Sequence, residues 1–484
     1  MIVVISLAII FLLFIINYEL KRQQKLKLFK HIPGPKEYPI VGNLFSIRRD
    51  QCSDIEKLAD VFNIAPMSKF IFFNQVYISI SDPTIIQHVL TSPQFHKRPA
   101  ILKFFEMENA LFTTKYEIWK PLRKQLNPAF SQKSIHSMQP MMIEHITKFT
   151  EEIGSHVDKE AFDVSTLVGR FEVGQMFKTM LDCDFIPDDE FVNALAEGTD
   201  NVSKRASDPI LFFDYFYERS EIGKKIRRSH NAANKVLRDF ILPNFEERRK
   251  LAQQKESRSH MNLLDYLLVT KKDGRFLTYD EIEENIKSVF MAAIDTSTHT
   301  IAFTLLMLAM HPDIDRKVFE EISSVYQPGD ALDADIVKKM TYLDMVVKEI
   351  LRLFAIAPVT MRESLVDTHV DKVGSIPKGV TFFITMFKLN RNPLVWGPDA
   401  NKFNPEHFNE ENSAKRHIYN FVPFGGGTRG CIGMTFANLN IRMALAKVLV
   451  SYRFETLLKF ENIKLKYGVS TKLNVPYLMK VFKR

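Results

Sequence analysis

Residues Phe424 to Gly433 read FGGGTRGCIG, five glycines and one cysteine in ten positions of a chain with only three cysteines. Glycine lets a backbone approach another body closely, because no Cβ stands in the way. Directly after it, MTFANLNIRMALAKVLVSY (Met434 to Tyr452) repeats apolar residues at helical spacing. Cys431 therefore stands where loop becomes helix. Backbone N–H groups and the positive end of the helix dipole favour a thiolate over a thiol there.

The whole chain narrows what that thiolate serves. At 484 residues, length alone suggests about three domains. No Pro/Gly/Ser-rich linker, repeat or low-complexity tract breaks the sequence after residue 40, so residues 37–484 read as one domain. An apolar fraction of 46% with 25% charged residues is that of an ordinary globular protein. Forty phenylalanines suit a large apolar interior or an apolar ligand. Cys52, Cys183 and Cys431 are too few for a disulfide framework and fit a reducing compartment. The net charge of +8 points to a membrane surface or an acidic partner rather than nucleic acid, because no basic stripe carries interleaved aromatics.

Ile2 to Ile16 is apolar except for Ser6. Roughly 17–20 helical residues span about 25–30 Å, enough for a thin endoplasmic-reticulum bilayer. Residues 1–20 thus read as a membrane anchor helix. Residues 21–36, KRQQKLKLFKHIPGPK, read as a basic linker ending in a stiff proline hinge. Positive charge after the span places the following domain on the cytosolic side. A cleaved signal is the competing reading, but the start lacks positive charge and no small-x-small cleavage site follows.

MSKFIFFNQVYISISD (Met67 to Asp82) alternates like a β-hairpin, and the C-terminal KLKYGVSTKLNVPYLMKVFKR gives a second strand-rich patch. Most of the remainder is helical. The clearest helix starts at TYDE, where Thr278 and Glu281 form a capping-box pattern, and it stops before Pro312. Its second half has no Lys, Arg or Glu, so Asp295 is an acid in an apolar run. Burying a carboxylate costs several kcal/mol unless it is paired. In YLDMVVKEILRLF, Glu349 and Arg352 share a face at i and i+3. Taken alone they read as a surface ion pair, worth under about 1 kcal/mol.

The spacing Phe-x-x-Gly-x-Arg-x-Cys-x-Gly, through Phe424, Gly427, Arg429, Cys431 and Gly433, resembles the haem-binding loop of the cytochrome P-450 superfamily, the haem-thiolate monooxygenases. Other segments follow in that family's order. MAAIDTS (Met291 to Ser297) resembles its oxygen-activation segment, KEILR (Lys348 to Arg352) its Glu-x-x-Arg helix, and FNPEHF (Phe403 to Phe408) its Pro-Glu-Arg-Phe segment. WKPLRKQLNPAF (Trp119 to Phe130) resembles its Trp-x-x-x-Arg helix, and HIPGPKEYPIVGN (His31 to Asn43) its proline hinge. The resemblance covers residues 33 to 480 and is closest in texture to insect microsomal members near the fatty-acid ω-hydroxylase branch.

That resemblance implies a mainly α fold with a smaller β region, a long central helix over haem, and an N-terminal transmembrane helix ahead of one catalytic domain. It implies non-covalent haem b with the Cys431 thiolate on iron, where thiolate donation favours O–O cleavage. Phe424 would shield the sulfur, Gly433 would keep the loop close to the porphyrin, and Trp119, Arg123, Arg362 and Arg429 would hold the propionates. Thr296 and ordered water would hydrogen-bond the oxygen being activated, with Asp295 linking that water to a proton source. Thr298 and Thr300 read as helix-interior residues bonding backbone carbonyls. Glu349 and Arg352 would anchor the cysteine loop, with His407 as a weaker third member where the family has Arg. Ala292 stands where ω-hydroxylase relatives carry a Glu that can bond to haem, and Ala355 where a Pro is frequent.

By the same resemblance, electrons come from an NADPH-dependent flavoprotein reductase, with cytochrome b5 as a further donor, and the substrate is an apolar small molecule. The place is the cytosolic face of the endoplasmic-reticulum membrane, with lipid and no nucleic acid as partner. Phe104, Phe105, Met107, Leu111 and Phe112 are either core or the lining of an apolar pocket. Two other functions stay open at this point. One is a haem-thiolate isomerase or dehydratase working on peroxides, which the intact Asp295–Thr296 pair disfavours. The other is a degenerate haem protein that sequesters apolar ligands, which His407 leaves possible.

Overall fold

The computed structural model describes residues 2–46, 66–96, 99–241, 243–255, 261–466 and 468–484; Cys52 lies outside them. Helix α1 spans Ile2–Leu26. A hairpin of β1 (Met67–Phe72) and β2 (Gln75–Ile80) follows, then α2 (Pro83–Thr91) and α3 (Tyr116–Leu126). Helices α4 (Gln132–Gly154), α5 (Val164–Leu181), α6 (Asp189–Ser207) and α7 (Glu221–Ile241) lead to α8 (Tyr279–Met310). After α9 (Thr341–Phe354) come β3 (Val359–Glu363) and β4 (Thr381–Thr385), then α10 (Met434–Leu449) and a short hairpin of β5 (Leu465–Lys466) with β6 (Lys472–Leu473).

The capping box forms as read. The Thr278 hydroxyl accepts from the Glu281 N–H at 3.3 Å, and the Glu281 carboxylate accepts from the Thr278 N–H at 2.9 Å. Arg275 and Lys272 also bond that carboxylate and, against the burial that pushes it up, hold it well below the usual carboxylate range. Pro312 closes the other end, because it cannot continue the ladder. Between these stops α8 is the buried axis of the molecule, packed by α5, α6, α9 and α10. Length and composition alone would let α8 cross a membrane, yet 72% of its apolar window is buried inside the protein, so it is a core helix.

A second apolar cluster lies under a four-stranded sheet of order β1-β2-β4-β3, in which β2 and β4 run parallel and the other pairs antiparallel. Its register sets Arg362 opposite Phe382 and so fixes a cation at the sheet edge.

The N-terminal boundaries need correction. No separate basic linker begins at residue 21: α1 continues to Leu26, and Leu26, Phe29 and Ile32 are buried in the sheet cluster. Arg22, part of the stretch read as a basic linker, is 2% exposed; its Nε donates to Phe73 O at 2.9 Å and its Nη1 to Glu19 at 2.8 Å. The Lys69 N–H donates to Pro33 O at 2.8 Å, so the proline segment is docked rather than left as a hinge. The first turns, with Leu7, Phe11 and Phe14 exposed, form a helix long and apolar enough to cross a bilayer.

One buried acid gives the fold a pH dependence. Glu172 on α5 is 1% exposed, accepts from Asn440 of α10 at 3.0 Å, and burial raises its carboxyl to about 8. Folding therefore keeps a proton that the unfolded chain releases above its ordinary value of 4.5. The stability this gives is complete at or below about pH 4.5 and is lost progressively as pH rises through about 8. Glu172→Gln removes the charge, so the gap in melting temperature between variant and parent should widen from about pH 5 to about pH 8. A shift of this size is worth a few kcal/mol at 1.36 kcal/mol per pH unit. Parallel melting curves over that window would contradict the assignment.

Candidate functional site

The glycine-rich loop is shaped by contacts that only glycine tolerates. Gly427 lies at φ +62°, and a Cβ there would sit 1.9 Å from Leu90 O on α2. The turn closes through the Gly430 N–H to Gly427 O (3.0 Å) and the Cys431 N–H to Phe424 O (2.9 Å). Phe424 packs partly buried against the main core. Gly433 then caps α10, and a Cβ on it would meet nothing within 4 Å. Cys431 is exposed, although the loop that carries it is wedged between α2, α3 and α10.

Around this loop the structure gathers the cations read from the sequence. Arg123 Nη1 donates to Gly430 O at 3.0 Å, and its charge acts on Cys431. Arg429 is 3% exposed; its Nε donates to His96 O at 2.9 Å and its guanidinium stacks 3.7 Å from the Trp119 ring centre. Arg362, 2% exposed, donates to Gly426 O at 3.3 Å. Its Nε has no hydrogen-bond partner, and among the described residues no carboxylate pairs with it. Burial alone holds this guanidinium down at about 10. A buried cation lacking an anion is costly unless an anionic group is meant to meet it. An exposed sulfur, an open glycine and such a cation together fit a flat ligand with an acidic edge, as haem is.

His96 escaped the sequence reading. Its ring nitrogen lies 3.2 Å from the Thr428 hydroxyl, and its ring faces Tyr116 and Trp119. Burial, then the charges of Arg429, Arg362 and Lys120, lower its pKa, so a neutral imidazole braces the cationic group. The sequence carried no signal for it, because a lone His in a loop has no spacing to read. Lys120 and Lys124 are exposed, whereas Arg442 is already paired with Asp344 at 3.1 Å.

On α8, Ala292 is exposed and Ala293 and Thr296 are partly so, while their neighbours are buried. At about 100° per residue these three form one uncovered stripe. The Thr296 hydroxyl donates to Ala292 O at 2.7 Å, and the Thr300 hydroxyl to Thr296 O at 2.8 Å. Thr298 does not follow the expectation: its hydroxyl is buried and bonds no carbonyl. Asp295 has the partner its burial demanded, Lys472 on β6, with Nζ 2.9 Å from Oδ1. Burial, the largest single influence, pushes the Asp295 carboxyl up, but the Lys472 ammonium together with His299 and the Ser470 hydroxyl outweighs it and the net direction is down.

Glu349 and Arg352 are no surface pair. Both side chains are 0% exposed, joined by bonds of 2.7 Å from Arg352 Nε and Nη2 to the two carboxylate oxygens. His407 is buried and its Nδ1 lies 3.1 Å from Glu349 Oε1, so the third contact is direct despite the shorter side chain. Arg416, unremarked in the sequence, stacks 4.3 Å over Trp396 beside this network. Ala355 ends α9 at φ +43°, which proline, fixed near −65°, cannot adopt. Of the pocket candidates, Phe104, Phe105 and Met107 cluster with Met291 of α8, Phe112 packs against them, and Leu111 belongs to the main core.

Known proteins match the chain over nearly its whole length. Residues 32–480 match the family "Cytochrome P450", written P-450 here. Probable cytochrome P-450 313a4 of Drosophila melanogaster is 28% identical, with 98% of each chain covered. Cytochrome P-450 4c21 of Blattella germanica is 26% identical over 96% of this chain and 95% of its own. Cytochrome P-450 4V2 of Mus musculus is 26% identical over 93% and 89%. With the match running from the docked N-terminal segment to the last strand, the chain belongs to the cytochrome P-450 family, oxidoreductases that bind haem b through a cysteine thiolate and act as monooxygenases.

Proposed function

We propose that the protein inserts one oxygen atom into an apolar small molecule, with Cys431 as the thiolate ligand and Asp295 and Thr296 as the proton-handling pair. The observation that carries this reading is the buried, ionised Asp295 one residue before an accessible Thr296 on the uncovered stripe of α8. Bound haem supplies dioxygen activation, in the balance RH + O2 + 2H⁺ + 2e⁻ → ROH + H2O. The chain supplies the rest. Arg123, Arg362, Arg429 and Trp119 orient the anionic edge, and Phe424 limits water at the sulfur. The apolar cluster of Phe104, Phe105, Met107 and Met291 packs against α8 and favours an apolar substrate. Thr296 can turn its hydroxyl from Ala292 O to a water or oxygen in the site, and Asp295 returns the proton.

Electrons come from an NADPH-dependent flavoprotein reductase, with cytochrome b5 as a second donor, meeting the exposed Lys120 and Lys124. The α1 helix anchors the protein in the endoplasmic-reticulum membrane with the catalytic domain on the cytosolic face. Ala292 offers no carboxylate for an ester, so haem stays non-covalent. Thr296→Ala tests the central claim: haem and substrate binding should persist while peroxide per NADPH rises about tenfold, equal to about 1.4 kcal/mol in relative barriers. Full coupling in that variant would reduce Thr296 to a helix residue.

A further inference from the structure

The last turns of α1 are bound to the domain along one face. From residue 15 to residue 26 the buried or half-buried positions are Ile15, Tyr18, Glu19, Arg22, Lys25 and Leu26, a stripe at helical intervals of three and four. Glu19 acts as its clasp. One carboxylate oxygen accepts from Arg22 Nη1 at 2.8 Å and Gln23 Nε2 at 2.7 Å, and the other from the Ile40 N–H at 3.0 Å. Lys25 Nζ donates to Asn74 O at 3.2 Å, beside the Arg22 bond to Phe73 O, so the turn of the β1–β2 hairpin is gripped twice. Further on, Lys69 Nζ donates to Phe29 O at 3.1 Å, and a Cβ on Gly34 would lie 2.3 Å from Lys69 O. Contacts thus follow the chain from Glu19 to Gly34 and leave no stretch to act as a swivel.

These bonds set a height. Glu19 stands three residues beyond the apolar run Ile2 to Ile16, at most about 5 Å along the helix axis. Each headgroup layer of a bilayer is about 5–7 Å deep. With the run filling the hydrocarbon, the Ile40 N–H is therefore held inside that layer. Ile15, half-buried on the same face, lies within the run itself.

Ile40 is the tip of a tight turn, closed by the Tyr38 N–H to Gly42 O (2.8 Å) and the Gly42 N–H to Tyr38 O (2.9 Å). Its φ of +66° is an outlier for a β-branched residue, and its side chain is exposed. In water, Asn or Gly would suit such a tip better on both counts. A strained residue of this kind persists where its side chain is needed. Phe45, 70% exposed, meets the Tyr38 ring edge-on at 6.0 Å, and the exposed Lys36 stands 5.2 Å over the same ring. Leu20 and Lys21 are exposed on α1 at this level. Apolar tips with a Tyr and lysines at headgroup height have the chemistry of a membrane interface.

We propose that the turn from Tyr38 to Phe45 is a second membrane contact, a seat pressed into the headgroup–acyl boundary beside α1. The Glu19 clasp then locks anchor and catalytic domain into one body with a single tilt on the bilayer. The partner is lipid: Ile40 and Phe45 meet acyl carbon, and Lys21 and Lys36 meet phosphate. The seat rests on the reading of α1 as the membrane span.

The test uses the full-length holoenzyme in bilayers of phosphatidylcholine and phosphatidylserine. Spin labels are placed singly at Phe11→Cys, Ile40→Cys and Phe45→Cys in a Cys52→Ser background, since bound haem protects Cys431 and Cys183 is buried. All three should be relaxed several-fold more by oxygen than by a water-soluble nickel chelate, with the reverse at Leu394→Cys, a site 94% exposed in the parent. Nickel dominance at Ile40→Cys or Phe45→Cys, with oxygen dominance at Phe11→Cys, overturns the seat and leaves the span. Nickel dominance at Phe11→Cys overturns both. Linear dichroism of the haem in oriented bilayers reads the clasp. The parent should show one narrow tilt, and Glu19→Ala should broaden it several-fold with the haem spectrum and membrane retention unchanged. Ile40→Asn suits the left-handed backbone, so it should hold or raise the melting temperature in detergent and yet broaden the tilt. A broad tilt in the parent, or a narrow one in Glu19→Ala, overturns the clasp; a narrow one in Ile40→Asn overturns the seat.

Discussion

Cys431→His is expected to abolish the strongly red-shifted absorption band that a thiolate-ligated haem gives with reductant and carbon monoxide, and with it all monooxygenase turnover. The change should spare the fold. Cys431 is exposed, and its part in the turn is a backbone N–H to Phe424 O, which any residue can supply. Exposed substitutions away from special backbone sites usually move stability by no more than about 0.5 kcal/mol. The loss should therefore be electronic: imidazole is a neutral donor, and thiolate donation is what shifts the band. Cys183→Ser is the matched control. Cys183 is buried, its S–H donates to Leu181 O at 3.4 Å, and Arg248 lies against its sulfur at 3.6 Å, far from any glycine loop. That variant should keep the full band. A normal band in Cys431→His, or its loss in Cys183→Ser, would mean that the ligand has been assigned to the wrong cysteine.

What the sequence made legible was local. The cysteine loop, the Thr278–Glu281 capping box and the hairpin at Met67 to Ile80 each consist of residues within a few positions of one another, so their chemistry is written in spacing. Arg429 and Trp119 were read separately, and their stacking needed the fold to bring α3 to the loop. The partner of Asp295 was illegible for the same reason: Lys472 sits on a two-residue strand near the C-terminus, and its strand-rich patch carries no spacing that ties it to α8. The basic segment after the anchor misled because charge usually marks solvent. Arg22 is buried through the Phe73 carbonyl in the hairpin turn and a Glu one turn back, while Leu26, Phe29 and Ile32 fill the sheet cluster beneath it. Spacing gave the Glu349–Arg352 pair but not its burial, and burial decides its worth.

Arg352→Met should cost about 3–5 kcal/mol, the usual penalty for leaving one partner of a buried ion pair behind. Against a total stability of about 5–15 kcal/mol, that is enough to prevent accumulation of haem-loaded protein at growth temperature. Arg352 donates five hydrogen bonds: two to Glu349, and one each to the carbonyls of Asn390, Ala400 and Lys402, at 2.6 to 3.0 Å. Those carbonyls belong to the segment that also holds Trp396, whose ring packs on Phe408 and Phe421, and Phe421 lies three residues before Phe424. Losing the guanidinium therefore frees the segment that supports the cysteine loop, so haem retention should fail together with stability. Arg352→Lys should fall between parent and Met, since an ammonium restores the charge but has three donors and no planar fork. His407→Ala should cost about 1 kcal/mol, because Glu349 Oε1 keeps its bonds from Arg352 and from the Asn404 N–H at 2.8 Å. Glu349→Gln with Arg352→Met removes both charges at once and should cost less than the sum of the single changes, by the coupling typical of residues in one network. The measurement is haem loss on heating followed by denaturant unfolding. An Arg352→Met protein that holds its haem as long as the parent would show that the segment is anchored by Trp396 packing alone.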